Sequence, residues 1–469
     1  MKKKFTSVPV RTGDEIEVKV SGLAYGGDGV AKYKNFTIFI PYSVPKDLLF
    51  AVVEIVKKNY ARASVKKTLE DSPDFTVPGC PDFKKCGGCQ WLNIKYNCQA
   101  EYKTNILKSM LAEEAGKKIK KIISPADPFY YRNRAQYKVA AGQKKIKLGF
   151  YAPKSHNVRD TGECLLVKKE INNIAMHTRD FLNIHKKKVV VYNEKTKNGY
   201  LRGVGVRVNK KGRVLVTFIV AKEKAEDYLY KYPEYLKKWP CDVAGVTINF
   251  NTKDTNRVFG KKEKVIYGSD VLNEEAGGLN FRLSSSSFFQ VNTEMLEEMA
   301  AFVRKNTDEN SRVLDIYGGV GALSLPLWEK AKEITIIESD EKAAESARDA
   351  VKTNNIINAE IINSQAETET GKIIKAKNID TVILDPPRKG VHPRVLNALK
   401  QQKPKKIIYI SCNPSTYARD INILSQLYEP SEIIPIDLFP HTYHIETMSC
   451  LRLKQYEGQQ AGSRISRTS

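Results

Sequence analysis

No apolar run in the 469-residue chain approaches the roughly 18 residues needed to cross a bilayer. Met1-Lys2-Lys3-Lys4 is basic, but no apolar core follows it, which argues against a secretory leader. Both absences predict a cytoplasmic protein without a membrane partner. In that compartment cysteines are more often ligands or nucleophiles than disulfides. Acidic residues are scarce as well. The 53 Asp and Glu face 77 Lys and Arg, leaving a net charge of +24. A surplus of that size predicts a polyanionic partner, nucleic acid first. Disorder is excluded by composition, since 41% of residues are hydrophobic and only 28% charged. No segment marks an obligate protein partner.

The length predicts about three domains, each able to bury its own core. Residues 1–68 read as short strands, at Asp14–Val20, Asn35–Ile40 and Leu49–Lys57. The turn-rich stretch Gly22-Leu23-Ala24-Tyr25-Gly26-Gly27-Asp28-Gly29 lies between the first two. Strands at this spacing predict a small OB-like barrel, a frequent RNA-binding module. Residues 69–280 read as a mixed α+β central domain. It opens with a cysteine-rich segment, and a helical stretch near 98–123 is placed to pack on the catalytic domain. From 281 to 456 helices alternate with apolar strands, the pattern of a Rossmann-like doubly wound sheet. Residues 457–469 are polar and read as a tail. The fold class is therefore multidomain α/β.

Three acidic or glycine-rich strand ends carry a cofactor signal. Asp315-Ile316-Tyr317-Gly318-Gly319-Val320-Gly321 follows an apolar strand and precedes a helix. Glycines there let the backbone approach a ligand closely. Glu338 ends the next strand, where a carboxylate can accept both hydroxyls of a ribose. Asp385-Pro386-Pro387-Arg388 ends a third. NAD is disfavoured because the glycine pattern is not G-x-G-x-x-G.

Cys412 sits in Ser411-Cys412-Asn413-Pro414, directly after the strand-like KIIYI. Its polar neighbours argue against a core thiol and for a nucleophile at the sheet's carboxyl edge. Glu446, in the run 439–447 (FPHTYHIET), is a carboxylate placed to take a proton. Cys80, Cys86 and Cys89, with Cys164 farther on, supply four thiolates. Four thiolates suit an iron–sulfur cluster or a tetrahedral zinc. Tyr130-Tyr131-Arg132-Asn133-Arg134 interleaves aromatic and basic residues, as an RNA-facing surface would.

Together DIYGGVG (315–321), DPPRKG (385–390), SCNPSTYARD (411–420), FPHTYHIET (439–447) and FFQVN (288–292) resemble the RNA uridine-5-methyltransferase family. The likeness extends over nearly the whole chain. The first domain looks like a TRAM domain, and the cysteine spacing matches the branch acting on 23S rRNA. The resemblance implies S-adenosylmethionine as methyl donor, with Gln290, Tyr317, Glu338 and Asp385 as cofactor-binding residues. It implies Cys412 as the nucleophile adding to uracil carbon 6, and Glu446 as the base removing the carbon 5 proton. It also implies a 4Fe–4S cluster on Cys80, Cys86, Cys89 and Cys164, and 23S rRNA as the RNA partner, with tRNA the alternative. A non-catalytic RNA-binding iron–sulfur protein is the rival from another class. Intact Cys412, Glu446, Glu338 and Asp385 argue against it. Gly318 departs from the family, many of whose members carry Cys there, and Ala322 stands where some carry a polar contact residue.

Overall fold

The structure is a computed structural model, and it describes residues 8–253 and 257–454. The tail expected at 457–469 lies outside the described residues, as do the basic residues at the start of the chain.

Five strands close into a barrel: Glu15–Leu23, Gly29–Tyr33, Phe36–Ile40, Leu48–Val56 and Tyr60–Glu70. Alternation explains why. In Glu15–Leu23, Ile16, Val18 and Val20 point inward and the residues between them face water. Two of these strands, Gly29–Tyr33 and Tyr60–Glu70, are polar enough that the sequence pattern does not reveal them. The barrel's closure, rather than their own hydrophobicity, pairs them.

The central sheet has seven strands. From one edge these are Lys262–Gly268, Val243–Phe250, Val214–Val220, Leu201–Val208, Arg134–Ala141, Ile146–Tyr151 and Val158–Asp160. Helix Lys169–Ile184 covers one face through Ile171, Ile174, Phe181 and Leu182.

The catalytic sheet runs Ala359–Asn363, Glu333–Glu338, Arg312–Ile316, Thr381–Leu384, Lys406–Ser411, Glu446–Leu453, Tyr428–Ile436. The first five strands are parallel. The last two join antiparallel, so the sheet is doubly wound with an antiparallel edge. Both faces of the inner strands are buried, which is why Glu333–Glu338, Thr381–Leu384 and Lys406–Ser411 read as nearly continuous apolar runs, while the edge strands Ala359–Asn363 and Tyr428–Ile436 stay partly exposed. Ile334, Ile336, Ile383 and Ile408 face one core, together with helix Thr293–Asn306. Val382, Leu384, Ile407 and Tyr409 face the other, with helices Ala366–Lys377, Pro393–Gln402 and Pro414–Leu424.

Helix Tyr96–Met110 belongs spatially to this domain. Its Leu107 is buried in the second core, and Ile119 and Ile123 bridge to Ile433 and Ile436 at the sheet edge. Among the described residues no helix is long and apolar enough to cross a membrane.

Candidate active site

Strand register brings the candidate residues together. In the antiparallel pair of Lys406–Ser411 and Glu446–Leu453, Ser411 lies opposite Thr447. Cys412 follows Ser411 and Glu446 precedes Thr447, so both leave the paired strands at the same end, close enough for Glu446 to act on the thiol. On the other side, Lys406–Ser411 runs parallel to Thr381–Leu384, with Tyr409 beside Leu384, so Asp385 ends the neighbouring strand. Three reactive side chains therefore share one carboxyl edge, where open α/β sheets place their ligands. Asn413 caps helix Pro414–Leu424 by accepting from the Ser415 amide at 3.1 Å. Its Nδ2 donates to the Arg388 carbonyl at 2.9 Å, tying the Cys412 loop to the Asp385 loop.

Burial dominates the electrostatics. It pushes the Cys412 thiol up to about 12; the Glu446 and Asp385 carboxylates add to this and Arg388 opposes it. Glu446 is fully buried and rises well above the usual carboxylate range, through desolvation first and Asp385 second. Asp385 is held up to about 7 by burial and by Asp315. Like charges in a dry site cannot all ionise, so the free enzyme stores protons here.

The glycine loop completes the same edge. Tyr317 adopts φ +68°, a strained conformation for a bulky residue, and its hydroxyl accepts from the His392 amide at 3.2 Å. Glu338 accepts from the Gly319 amide at 3.0 Å and from the Asp340 amide at 2.6 Å. Oε2 keeps a further lone-pair site, while Oε1 also takes a long bond from Ser339 Oγ at 3.5 Å that a ribose hydroxyl could replace. Gly319 has φ +58° and open space where a Cβ would project, a cradle for a ligand. At Gly318, by contrast, a Cβ would lie 2.5 Å from Ile336 Cγ2 and 2.8 Å from Asp315 Oδ2, so any side chain there would require these two to shift. Asp315 accepts from Ser324 at 2.5 Å, while its other oxygen is buried without a partner. Gln290 lies on the loop before helix Thr293–Asn306, its carbonyl accepting from Asn133 Nδ2 at 3.1 Å.

Cys80, Cys86, Cys89 and Cys164 line one cavity of about 490 Å³, with Leu92, Phe150 and Phe289 among its apolar walls. None forms a disulfide. Burial pushes the Cys86 thiol up to about 11 and Cys89 higher still, and the facing thiols, Cys164 among them, add to both. Among the described residues no group of three or more His, Cys, Asp or Glu is placed to hold a single metal ion.

The interleaved segment alternates between inward and outward residues, so two of its five members pack inside. Tyr131 is buried and donates to the Pro440 carbonyl at 3.2 Å. Asn133 is buried, and Arg134 donates to the Ser287 and Ser285 carbonyls at 3.0 and 2.6 Å. Tyr130, Arg132 and Arg134 keep partial exposure, Arg132 beside Phe439.

Sequence reasoning missed the support beneath Glu446. Lys103, on helix Tyr96–Met110, is fully buried and pairs with Asp437 at 2.6 Å. Gln99 Oε1 accepts from the His441 amide at 3.0 Å, and its Nε2 lies 3.0 Å from His441 Nδ1. Burial pushes His441 and His444 down to about 4, so both rings are neutral. A lysine and a glutamine inside an otherwise apolar helical face were the available signal.

The family description tRNA (uracil-5-)-methyltransferase matches residues 95–454, and the TRAM domain matches residues 9–66. A protein named as an RNA methyltransferase from Fusobacterium nucleatum is 32% identical over 96% of this chain and 98% of its own length. One so named from Clostridium acetobutylicum is 32% identical over 95% and 98%. The crystal structure of Pyrococcus abyssi tRNA (uracil-54, C5)-methyltransferase with S-adenosyl-L-homocysteine is similar at TM-score 0.75 and 27% identity. It covers 93% of this chain and 100% of that one. With its glycine loop, buried carboxylates and strand-end cysteine on one sheet edge, the chain belongs to the S-adenosylmethionine-dependent RNA (uracil-5-)-methyltransferase family and carries a TRAM domain ahead of its catalytic part.

Proposed function

We propose that this enzyme methylates carbon 5 of a specific uridine in 23S rRNA by covalent catalysis through Cys412. The observation that supports it is the strand register that ends at Ser411 opposite Thr447 and at Leu384 beside Tyr409, which brings Cys412, Glu446 and Asp385 to one edge. Uracil carbon 5 is a poor nucleophile. Addition of the Cys412 thiolate to carbon 6 makes carbon 5 nucleophilic. S-adenosylmethionine supplies the methyl group that carbon 5 takes. Glu446 then removes the carbon 5 proton, and elimination restores the ring and expels Cys412.

A thiol held near 12 is only about one part in 10⁴–10⁵ thiolate at pH 7.5. Cys412 must therefore lose its proton as the base arrives. Arg388 favours the thiolate, and Asp385, whose own carboxyl is held up to about 7, is the neighbouring carboxylate suited to take the thiol proton, which leaves Glu446 for the carbon 5 proton. Glu338 is suited to the ribose of the methyl donor, and Tyr317 and Gln290 to the rest of its pocket. The target uridine must leave its stack, at a cost of roughly a few kcal/mol. Contacts to RNA phosphates by the basic surface offset part of that.

The four cysteines fit a 4Fe–4S cluster. They face one roomy cavity with apolar walls, and as thiolates they would need a cationic group between them to be held together there. Such a cluster supplies structure, or positions RNA, because the Cys412 route moves no electrons. Absorbance and iron analysis of anaerobically purified protein test this.

A specific observation favours tRNA as the second reading. The Pyrococcus abyssi structure covers 93% of this chain, and the remainder is shorter than the barrel. An enzyme named for tRNA thus shares at least part of this barrel, so the barrel does not choose between substrates. RNA tritiated at uracil carbon 5 decides both points. Release from 23S rRNA is expected. Release from tRNA alone reassigns the substrate, and none from either refutes the chemistry.

A further inference from the structure

We propose that Tyr25, on the barrel, forms a wall of the target-uridine pocket and stacks on the base that enters it, so that the TRAM barrel completes the active site. This rests on the assignment of Cys412 and Glu446 made above.

The loop that carries Tyr25 is short and pinned. The Ala24 amide donates to the Asp28 carbonyl at 2.9 Å, and the Gly27 amide to the Ala24 carbonyl at 3.0 Å. Gly26 and Gly27 take φ of +117° and +94°, a turn that residues with side chains rarely make. Asp28 pairs with Arg62 on the far side of the barrel. Tyr25 is thus presented by a fixed turn, with little ordering entropy left to lose on binding.

That turn docks on the base loop. The Gly27 carbonyl accepts from Trp91 Nε1 at 3.1 Å, and the Trp91 amide donates to the His441 carbonyl at 3.1 Å. A Cβ on Gly27 would lie 3.3 Å from the Tyr443 ring, so the two loops are in close contact. Tyr25 meets Tyr443 edge to face, with centroids 5.6 Å apart and an interplanar angle of 86°. Tyr25, Tyr443, Trp91 and Ile445 share one small apolar cluster, and Ile445 is bonded to Glu446. The hydroxyl of Tyr25 feels Arg388, Cys412 and Glu446, the groups around the reacting carbon. Tyr25 is only half-buried, so part of it is left for a ligand. A uracil has a π-face whatever its neighbours, and aromatic stacking is the general means of holding an unstacked base.

The test uses RNA made with 5-fluorouridine. Fluorine at carbon 5 blocks the proton-removal step, so the enzyme stays bonded to the RNA and is read as a shifted band on a denaturing gel. Wild type is measured with 23S rRNA and tRNA transcripts at saturating RNA and S-adenosylmethionine. Tyr25→Ala is expected to form the adduct roughly 5- to 100-fold more slowly at saturation, the range of one lost base stack. Tyr25→Phe is expected to stay within about twofold of wild type, because the ring and not the hydroxyl does the stacking. S-adenosyl-L-homocysteine binding should be unchanged in both, which separates a pocket defect from a folding defect. If Tyr25→Ala melts too low to assay, Tyr25→Leu keeps apolar bulk without a ring and should show the same loss. An unchanged saturated rate with only weaker RNA binding would mean the barrel is a tether, and would overturn the proposal. So would a Tyr25→Phe enzyme as slow as Tyr25→Ala. A wild-type enzyme that forms no adduct with either RNA fails at Cys412 instead, and overturns the chemistry on which this proposal rests.

Discussion

Replacing Lys103 with methionine removes the ammonium beneath the base loop and keeps the length of the side chain. Lys103 and Asp437 are both fully buried and 2.6 Å apart. Lys103 Nζ also donates to the Phe439 carbonyl at 3.1 Å, and the second Asp437 oxygen accepts from the Tyr96 hydroxyl at 3.1 Å. In Lys103→Met the Asp437 carboxylate stays buried with the tyrosine as its remaining side-chain donor, and Phe439 loses a donor. Breaking a buried pair from one side costs roughly 3–5 kcal/mol, mostly as the penalty of the stranded charge. In a domain of this size that lowers the melting temperature by roughly 6–20 °C. Near-ultraviolet circular dichroism of the catalytic-domain transition at pH 7.5 measures it. The double variant Lys103→Met/Asp437→Asn neutralises the stranded carboxylate and should recover part of the loss. Because Asp437 begins the segment that leads to Glu446, the single variant should also turn over more slowly at temperatures where it is folded. A loss below about 1 kcal/mol, or a double variant no better than the single one, would refute the assignment of this pair as the anchor of the base loop.

Glu446→Gln should methylate the uracil but fail to release it, so a covalent enzyme–RNA adduct accumulates on denaturing gels; free turnover would take Glu446 out of the base role. Asp385, held up to about 7 against an ordinary 3.8, keeps a proton in the folded state that the unfolded chain has released. Stability from this group is therefore lost as pH rises from about 4 to about 7. Asp385→Asn should melt higher than wild type at pH 8 and close to it at pH 5, while methylation is lost; equal melting temperatures at pH 8 would contradict the buried-charge reading. Cys86→Ser should lose iron and visible absorbance while still binding S-adenosyl-L-homocysteine. Stoichiometric zinc in the wild type would replace the cluster with a metal ion.

Much of the site was legible because chemistry at strand ends leaves local signatures. The strand Lys406–Ser411 was legible as the run KIIYI, one residue short of its end, since a strand buried on both faces is an unbroken apolar run. The glycine loop was readable because glycines at φ above zero are hard to replace. Helix Lys169–Ile184 was not located, because its apolar residues are spread among lysines, asparagines and a histidine. Tyr25 appeared only as one residue of a turn-rich loop, with no sign of its neighbours in space.

The sequence by itself determined which groups the enzyme owns: a strand-end thiol, three acidic strand ends, three clustered cysteines with a fourth farther on, and a surplus of basic residues. Those follow from local pattern, period and charge. The tertiary structure alone decided which of them meet. Register across the sheet brought Cys412 and Glu446 to one edge, a buried lysine from a distant helix anchored the loop before Glu446, and a barrel turn reached the same pocket. Desolvation there raised the thiol and the carboxylates together, and desolvation belongs to burial, which only the folded chain possesses.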